Sequence, residues 1–229
     1  MPGRKAKTFP VEELLNRLES AYGAPEYAPR YCPMDELVSC ILSQHTSDAL
    51  SFPTFEKLKA KYPSWQQVVN LGQEGLANEI KNAGLSNQKS KTIIASLIAI
   101  KDRTGDYSLE SLRAMPMLDA RKWLTSLPGV GPKTASIVIC FALGMPAIPV
   151  DTHVYRVSRR LGIIPDDVNE NKAHDLLLDM VPHKDAYRFH MDLIQHGRQT
   201  CKAPTPRCER CNVTDLCPWF KKNRARMKA

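Results

Sequence analysis

The sequence predicts an all-α fold, on three observations. Apolar residues recur at helical spacing through most of the chain, strand-like alternation is absent, and the connections are short and polar or proline-containing. Val11, Leu14, Leu15 and Leu18 form one apolar face, Leu37, Cys40, Ile41 and Leu42 a second, and Ile93, Ile94, Leu97 and Ile100 a third. In chain order, further helices fit 49–61, 64–70, 73–82, 109–114, 118–126, 132–143, 153–161, 170–180 and 184–198. No internal repeat or low-complexity stretch interrupts them. At 229 residues the chain is long enough for one domain or two modest lobes, each with its own core.

The formal net charge is +8, and its placement says more than its size. Arg4, Lys5 and Lys7 at one end, with Lys221, Lys222, Arg224, Arg226 and Lys228 at the other, hold the whole excess, because residues 10–220 balance. Such ends suit basic arms that hold a polyanion without reading it, or plain solubilising tails. Met1–Pro10 has no apolar leader, and runs such as Ile94–Ile100 are far too short to span a bilayer. The expectation is a soluble cytoplasmic protein.

Two segments carry chemistry. The first runs from Leu127 to His153. In Leu127-Pro128-Gly129-Val130-Gly131-Pro132-Lys133, two glycines can turn their N–H groups outward beside a helix N-terminus, a place where a phosphate docks. Pro132 suits the first helical position, which fixes Lys133 at the phosphate end. The helix over 132–143 carries the chain roughly 18 Å away. Residues 145–151, with Pro146 and Pro149, can return it by about 20 Å, so Asp151 is able to converge with Lys133. Plainer roles stand beside this one: an ordinary turn, a solvated lysine, and an N-cap at Asp151 ahead of Val154, Val157 and Leu161.

The second segment is a cysteine cluster. Cys32, Cys40 and Cys140 lie among apolar residues as expected for buried thiols, whereas Cys201, Cys208, Cys211 and Cys217 fall within seventeen residues. Four thiolates this crowded repel one another unless a metal neutralises them. Zinc is one candidate, although structural zinc sites commonly use two short knuckles and only Cys208 and Cys211 form one here. A [4Fe-4S] cluster, followed by loops of unequal length, suits the spacing better. The loop between the first two cysteines adds Lys202 and Arg207 and two prolines. It can project as a stiff basic finger or simply close the site.

Taken together, these residues resemble the endonuclease III family of DNA glycosylases with a helix-hairpin-helix motif. The resemblance covers nearly the whole chain. It rests on Ile41-Leu42-Ser43-Gln44-His45-Thr46-Ser47-Asp48, Gly84-Leu85 with Lys89, Leu127 through Ala135, Val150-Asp151-Thr152-His153, His196-Gly197-Arg198 and the four-cysteine spacing. It implies two helical lobes with a DNA-binding cleft between them: a six-helix lobe at about 29–147 carrying the hairpin, and a second lobe joining 1–28 to 148–217. That second lobe holds a C-terminal [4Fe-4S] cluster loop, and 218–229 is a basic tail. The cluster is structural and DNA-positioning in the family.

The resemblance further implies a monomeric, nucleoid-associated enzyme that acts on double-stranded DNA containing a damaged base or abasic site, with no membrane partner. Lys133 would attack C1′ of a flipped nucleotide, and Asp151 would stabilise charge developing on the sugar and assist proton transfers. Desolvation and the helix N-terminus would free the amine of its proton. The Schiff base then permits β-elimination. Leu85 would wedge between bases while Gln44 or His45 plugs the gap, and Gly129, Val130 and Gly131 would hold the strand beside Lys202 and Arg207.

Two departures stand out: His45 replaces a glutamine, and Thr205 replaces a lysine in the cluster loop. Opposite-base preference is therefore open, and phosphate contacts in the loop shift to Lys202 and Arg207. The expected activity is a bifunctional glycosylase and AP lyase for oxidised pyrimidines. Its rivals are a monofunctional glycosylase for uracil, mismatched thymine or adenine, which Lys133 argues against, and a noncatalytic DNA-binding module. His153 is open between orienting Asp151, contacting DNA and packing at a helix start.

Overall fold

The computed structural model describes residues 9–227, so Arg4, Lys5, Lys7 and Lys228 of the basic ends lie outside the described residues. Among the described residues there are twelve α-helices and no strand. They are α1 (Val11–Tyr22), α2 (Pro33–Ser43), α3 (Asp48–Lys61), α4 (Trp65–Asn70), α5 (Gly72–Glu79), α6 (Ser86–Thr104), α7 (Met117–Thr125), α8 (Pro132–Ile137), α9 (Thr152–Arg160), α10 (Glu170–Met180), α11 (Ala186–Gln199) and α12 (Pro218–Asn223). None is long and apolar enough to cross a membrane. The described residues divide into two compact units, one of residues 28–145 and one joining 9–27 to 146–227.

In the first unit α2 is the central rod. Pro33 starts it at N1, and nine of its eleven residues are buried, including Glu36, Ser39 and Cys40. A helix buried nearly all round must be packed all round, and α3, α6, α8 and the turn following α8 surround it. Ile41, Leu42, Phe55, Ile93 and Leu97 fill the space between, each no more than 1 % exposed. Burial of each contributes roughly 1.5–3 kcal/mol.

The expected helix over 132–143 is present in two parts. After Ile137 the coil widens into a π turn over Val138–Ala142. Arg113 ends it, its Nη2 donating to the Ala142 carbonyl at 2.7 Å and its Nη1 to that of Leu143 at 2.8 Å.

The second unit brings distant parts of the chain together. Leu14, Leu15 and Leu18 of α1, fully buried, pack with Val154, Val157, Phe189 and Leu193 of α9 and α11. Arg17 on α1 also reaches Asp215, 2.7 Å away. Residues 218–223, expected as part of a basic tail, instead form α12. Cys217 caps it by accepting from Phe220 N, Pro218 takes N1, and Trp219 and Phe220 pack against the core. The apolar pair outweighs the neighbouring lysines.

Candidate active site

The turn that presents Lys133 is held from beneath. Gly129 has φ 69°, and a Cβ there would lie 2.4 Å from Thr92 Cγ2, so both backbone and space demand glycine. Ser96 Oγ donates to the Pro128 carbonyl at 3.0 Å, and Gln44 Nε2 donates to the Gly129 carbonyl at 3.3 Å. Val130 is buried and plugs the turn into the unit, and its N–H donates to the Leu127 carbonyl at 3.2 Å.

Gly131 differs from Gly129. It is the N-cap of α8 at φ −90°, and a Cβ there would meet nothing within 4 Å. Its missing side chain leaves the N-terminal mouth of the helix bare. Lys133, at the second helical position, is exposed to solvent. The expected desolvation of the amine is thus not supplied by the packing of its own unit, because its neighbours fill the side of the helix facing α2.

In the other unit Asp151 is the N-cap of α9, and its Oδ1 accepts from Val154 N at 2.7 Å. The capping bond fixes the carboxylate beside a helix N-terminus. His153 packs: a Cβ on Gly197 of α11 would stand 2.9 Å from His153 Cβ, and Arg156 Nη2 donates to the Gly197 carbonyl at 2.9 Å. Gly197 therefore lets α9 and α11 approach closely.

The positions expected to wedge and to plug, Leu85 and His45, share an unusual backbone. Among the described residues only His45 and Leu85 are non-glycine residues with positive φ, at 54° and 46°. Both are exposed, Leu85 at 55 %. Such left-handed geometry costs a bulky residue about 1–2 kcal/mol each. Gln44 is tied to the turn of Lys133 instead, through Gly129 and, at 3.4 Å, Thr134 Oγ1. His45 is thus the side chain turned to solvent.

The four C-terminal cysteines ring one cavity, which Arg160, His196, Pro206 and Trp219 also line. Burial, reinforced by the other three thiols, pushes Cys208 up to about 11, and burial raises Cys211 and Cys217 as well. The reluctance of Cys208, Cys211 and Cys217 to ionise is what a cationic inorganic core would relieve. Among the described residues no three His, Cys, Asp or Glu side chains close around a single-ion position. Four soft sulfur donors around one cavity would suit a thiolate-held metal group.

Arg160 organises this ring. Its Nη1 donates to Cys201 Sγ at 3.4 Å and to the Lys202 carbonyl at 2.8 Å, and its guanidinium stacks on Trp219. The Thr200 carbonyl accepts from both Lys202 N and Arg207 N, which closes the loop into a compact turn with Arg207 exposed. His196, held neutral by burial that lowers it to about 4, meets Tyr22 Oη at 2.9 Å.

Sequence reasoning passed over Arg160 and Arg156, whose i, i+4 spacing after Asp151 was the available signal. It also left Lys89 without a role. Lys89 is 3 % exposed, and its three acceptors lie 6, 43 and 47 residues away along the chain.

The chain matches the model of the HhH-GPD superfamily of base excision DNA repair proteins over residues 38–183. It is 37 % identical over 184 residues to endonuclease III of Rickettsia conorii, covering 80 % of this chain and 83 % of that one. With endonuclease III of Escherichia coli K12 it shares 34 % identity over 212 residues, 92 % of this chain and 95 % of its relative. A solved structure of a trapped covalent endonuclease III–DNA intermediate, an estranged-adenine complex, superposes with a TM-score of 0.80 at 30 % identity. That likeness spans 96 % of this chain and 99 % of the other.

Proposed function

The chain belongs to the HhH-GPD superfamily of base excision DNA repair proteins and, within it, to the endonuclease III family, and on that premise we propose that it is a bifunctional DNA glycosylase and AP lyase for oxidised pyrimidines in double-stranded DNA. The observation that carries this reading is the solvent-facing amine of Lys133 at the second position of α8, on a turn whose outer face is stripped to backbone by Gly131.

The reaction begins with the damaged nucleotide outside the duplex. A flipped sugar covers Lys133 and supplies the desolvation that its own unit does not, and the amine gives up its proton to water or to a carboxylate. The Nζ lone pair then forms a bond to C1′ while the C1′–base bond breaks and its electron pair leaves with the base. Asp151 stabilises the positive charge that develops on the sugar, and its cap to Val154 N keeps it from swinging away. Opening of the sugar ring gives a Schiff base between Nζ and C1′. Loss of a proton from C2′ and departure of the 3′ phosphate complete the β-elimination and cut the strand.

Leu85 enters the stack as a wedge and His45 fills the vacated place, while Gln44 holds the plug to the turn of Lys133. Gly129 and Gly131 offer backbone N–H groups to the strand, Val130 between them holds the turn by donating its N–H to the Leu127 carbonyl, and Lys202 and Arg207 are further phosphate contacts. Cys201, Cys208, Cys211 and Cys217 would hold a [4Fe-4S] cluster, which orders the loop between them and takes no part in base excision.

Incubation with duplexes containing thymine glycol, uracil or an abasic site, followed by borohydride, tests the reading. Wild type is expected to form a covalent DNA adduct that Lys133→Gln abolishes. Base release without trapping would transfer the chain to the monofunctional class, and neither release nor trapping would leave a DNA-binding module.

A further inference from the structure

The two strained probes, at His45 and Leu85, sit on segments 40 residues apart, yet one buried cation joins them. Lys89 Nζ donates to the Leu42 carbonyl at 2.6 Å, to Thr46 Oγ1 at 2.7 Å and to the Ala83 carbonyl at 2.7 Å. An ammonium has three N–H donors, and all three are used. Thr46 Oγ1, having accepted from Lys89, donates its own hydrogen to the Ala83 carbonyl. Leu42 and Thr46 bracket the plug segment 44–45, and Ala83 precedes Gly84 and Leu85. The knot therefore ties the C-terminal end of α2 to the turn that opens α6.

Ordinary packing does not account for this arrangement. Burying a cation against uncharged acceptors is costly, and burial does lower the tendency of Lys89 to hold its proton. An apolar residue at 89 would fill the same space without that cost. What the ammonium adds is direction: three fixed vectors that hold two left-handed turns at a set separation. Each turn left alone would relax toward negative φ and withdraw its side chain.

We propose that Lys89 and Thr46 form a latch that positions His45 and Leu85 as a paired probe, so that wedge and plug enter the duplex together. This rests on the proposed glycosylase reading and deepens it. Lys89 and Thr46 are positioning residues, and neither touches the reacting atoms. Their loss should damage the step that opens the duplex more than the chemistry at C1′.

The test compares full-length wild type with Thr46→Val, Thr46→Ser and Lys89→Met on two substrates. One carries thymine glycol in a fully paired duplex and the other carries the same lesion in the centre of an unpaired bubble. Single-turnover excision is measured on each, with 2-aminopurine beside the lesion to report unstacking. For Thr46→Val and Lys89→Met the rate on the paired duplex should fall about tenfold or more relative to the bubble, as displacement of positioned groups by an ångström commonly does. The fluorescence rise should slow in parallel, and Thr46→Ser, which keeps the hydroxyl, should behave as wild type.

Equal losses on both substrates, or Thr46→Ser failing as badly as Thr46→Val, would overturn the latch. So would a paired-duplex rate that stays at the wild-type value in Thr46→Val. If wild type itself excises from neither substrate, it is the glycosylase reading that fails.

Discussion

The two units treat their buried and half-buried polar groups differently. In the unit of residues 28–145 these groups aim exposed side chains: Lys89 holds the segments of His45 and Leu85, and Ser96 and Gln44 hold the turn that presents Lys133. In the unit that joins 9–27 to 146–227 they enclose something. Arg160 reaches one thiol and the backbone of its loop, and Tyr22 Oη links a buried histidine beside Cys211 to Thr200 Oγ1. The first is a rigid mount whose working groups project into solvent. The second is a shell around a cavity lined by four cysteines. Asp151 is the exception in the second unit, a helix-capping carboxylate to which the proposed mechanism gives a second task.

This contrast can be broken or sharpened by substitution. The largest effect is expected at Asp151. Asp151→Asn keeps an N-cap acceptor, so the fold should survive, while single-turnover excision should drop about 10²–10⁴-fold as the charge on the sugar goes unassisted. A variant that loses its melting temperature in proportion to its activity would reduce Asp151 to a cap. Next comes the pair of glycines. Gly129→Ala must adopt φ 69° and push Thr92 aside, which should cost about 2–4 kcal/mol of stability by denaturant titration. Gly131→Ala meets no neighbour and should cost about 1 kcal/mol or less. Its DNA affinity should nonetheless fall. Equal stability losses for the two would erase the distinction between a glycine the fold needs and one the ligand needs.

The smallest effect lies in the second unit. Asp192 is buried with its Oδ2 3.6 Å from Arg188 Nε and without a hydrogen bond, and burial pushes it up to about 7 against the attraction of Arg188. The folded protein therefore binds a proton between about pH 4 and 7 that the unfolded chain has released, so this group's contribution to stability falls as pH rises through that window. Asp192→Asn removes the titration. The difference in melting temperature between variant and wild type should shift in favour of the variant from pH 5 to pH 8. A difference independent of pH would show that Asp192 stays ionised.

Much of this organisation is legible in the sequence because it is local. The faces of Leu14, Leu15 and Leu18 or of Ile93 and Leu97 follow from spacing alone, and the cap at Asp151 follows from the apolar rhythm after it. The family resemblance, too, rests on short runs of adjacent residues. What escaped is set by contacts between distant segments. Nothing near Lys89 says that its acceptors are the carbonyls of Leu42 and Ala83, since a carbonyl is present at every position. Gln44 and His45 are equally polar neighbours, and only the turn at φ 54° sends one to the hairpin and the other to solvent. The helix at 218–223 hid behind its lysines, because charge drew more notice than Trp219 and Phe220. Whether Lys133 is solvated or desolvated is open in the sequence for a related reason, as burial is not a property of one helix.

The central claim is that one amine on the rigid mount does the covalent work, and the most direct test is to locate the bond. After borohydride reduction on an abasic-site duplex, the adduct is digested with protease and nuclease and the modified peptide is sequenced by mass spectrometry. The remnant of the sugar should be found on Lys133 Nζ. Its recovery on another lysine or on the α-amino group would contradict the account.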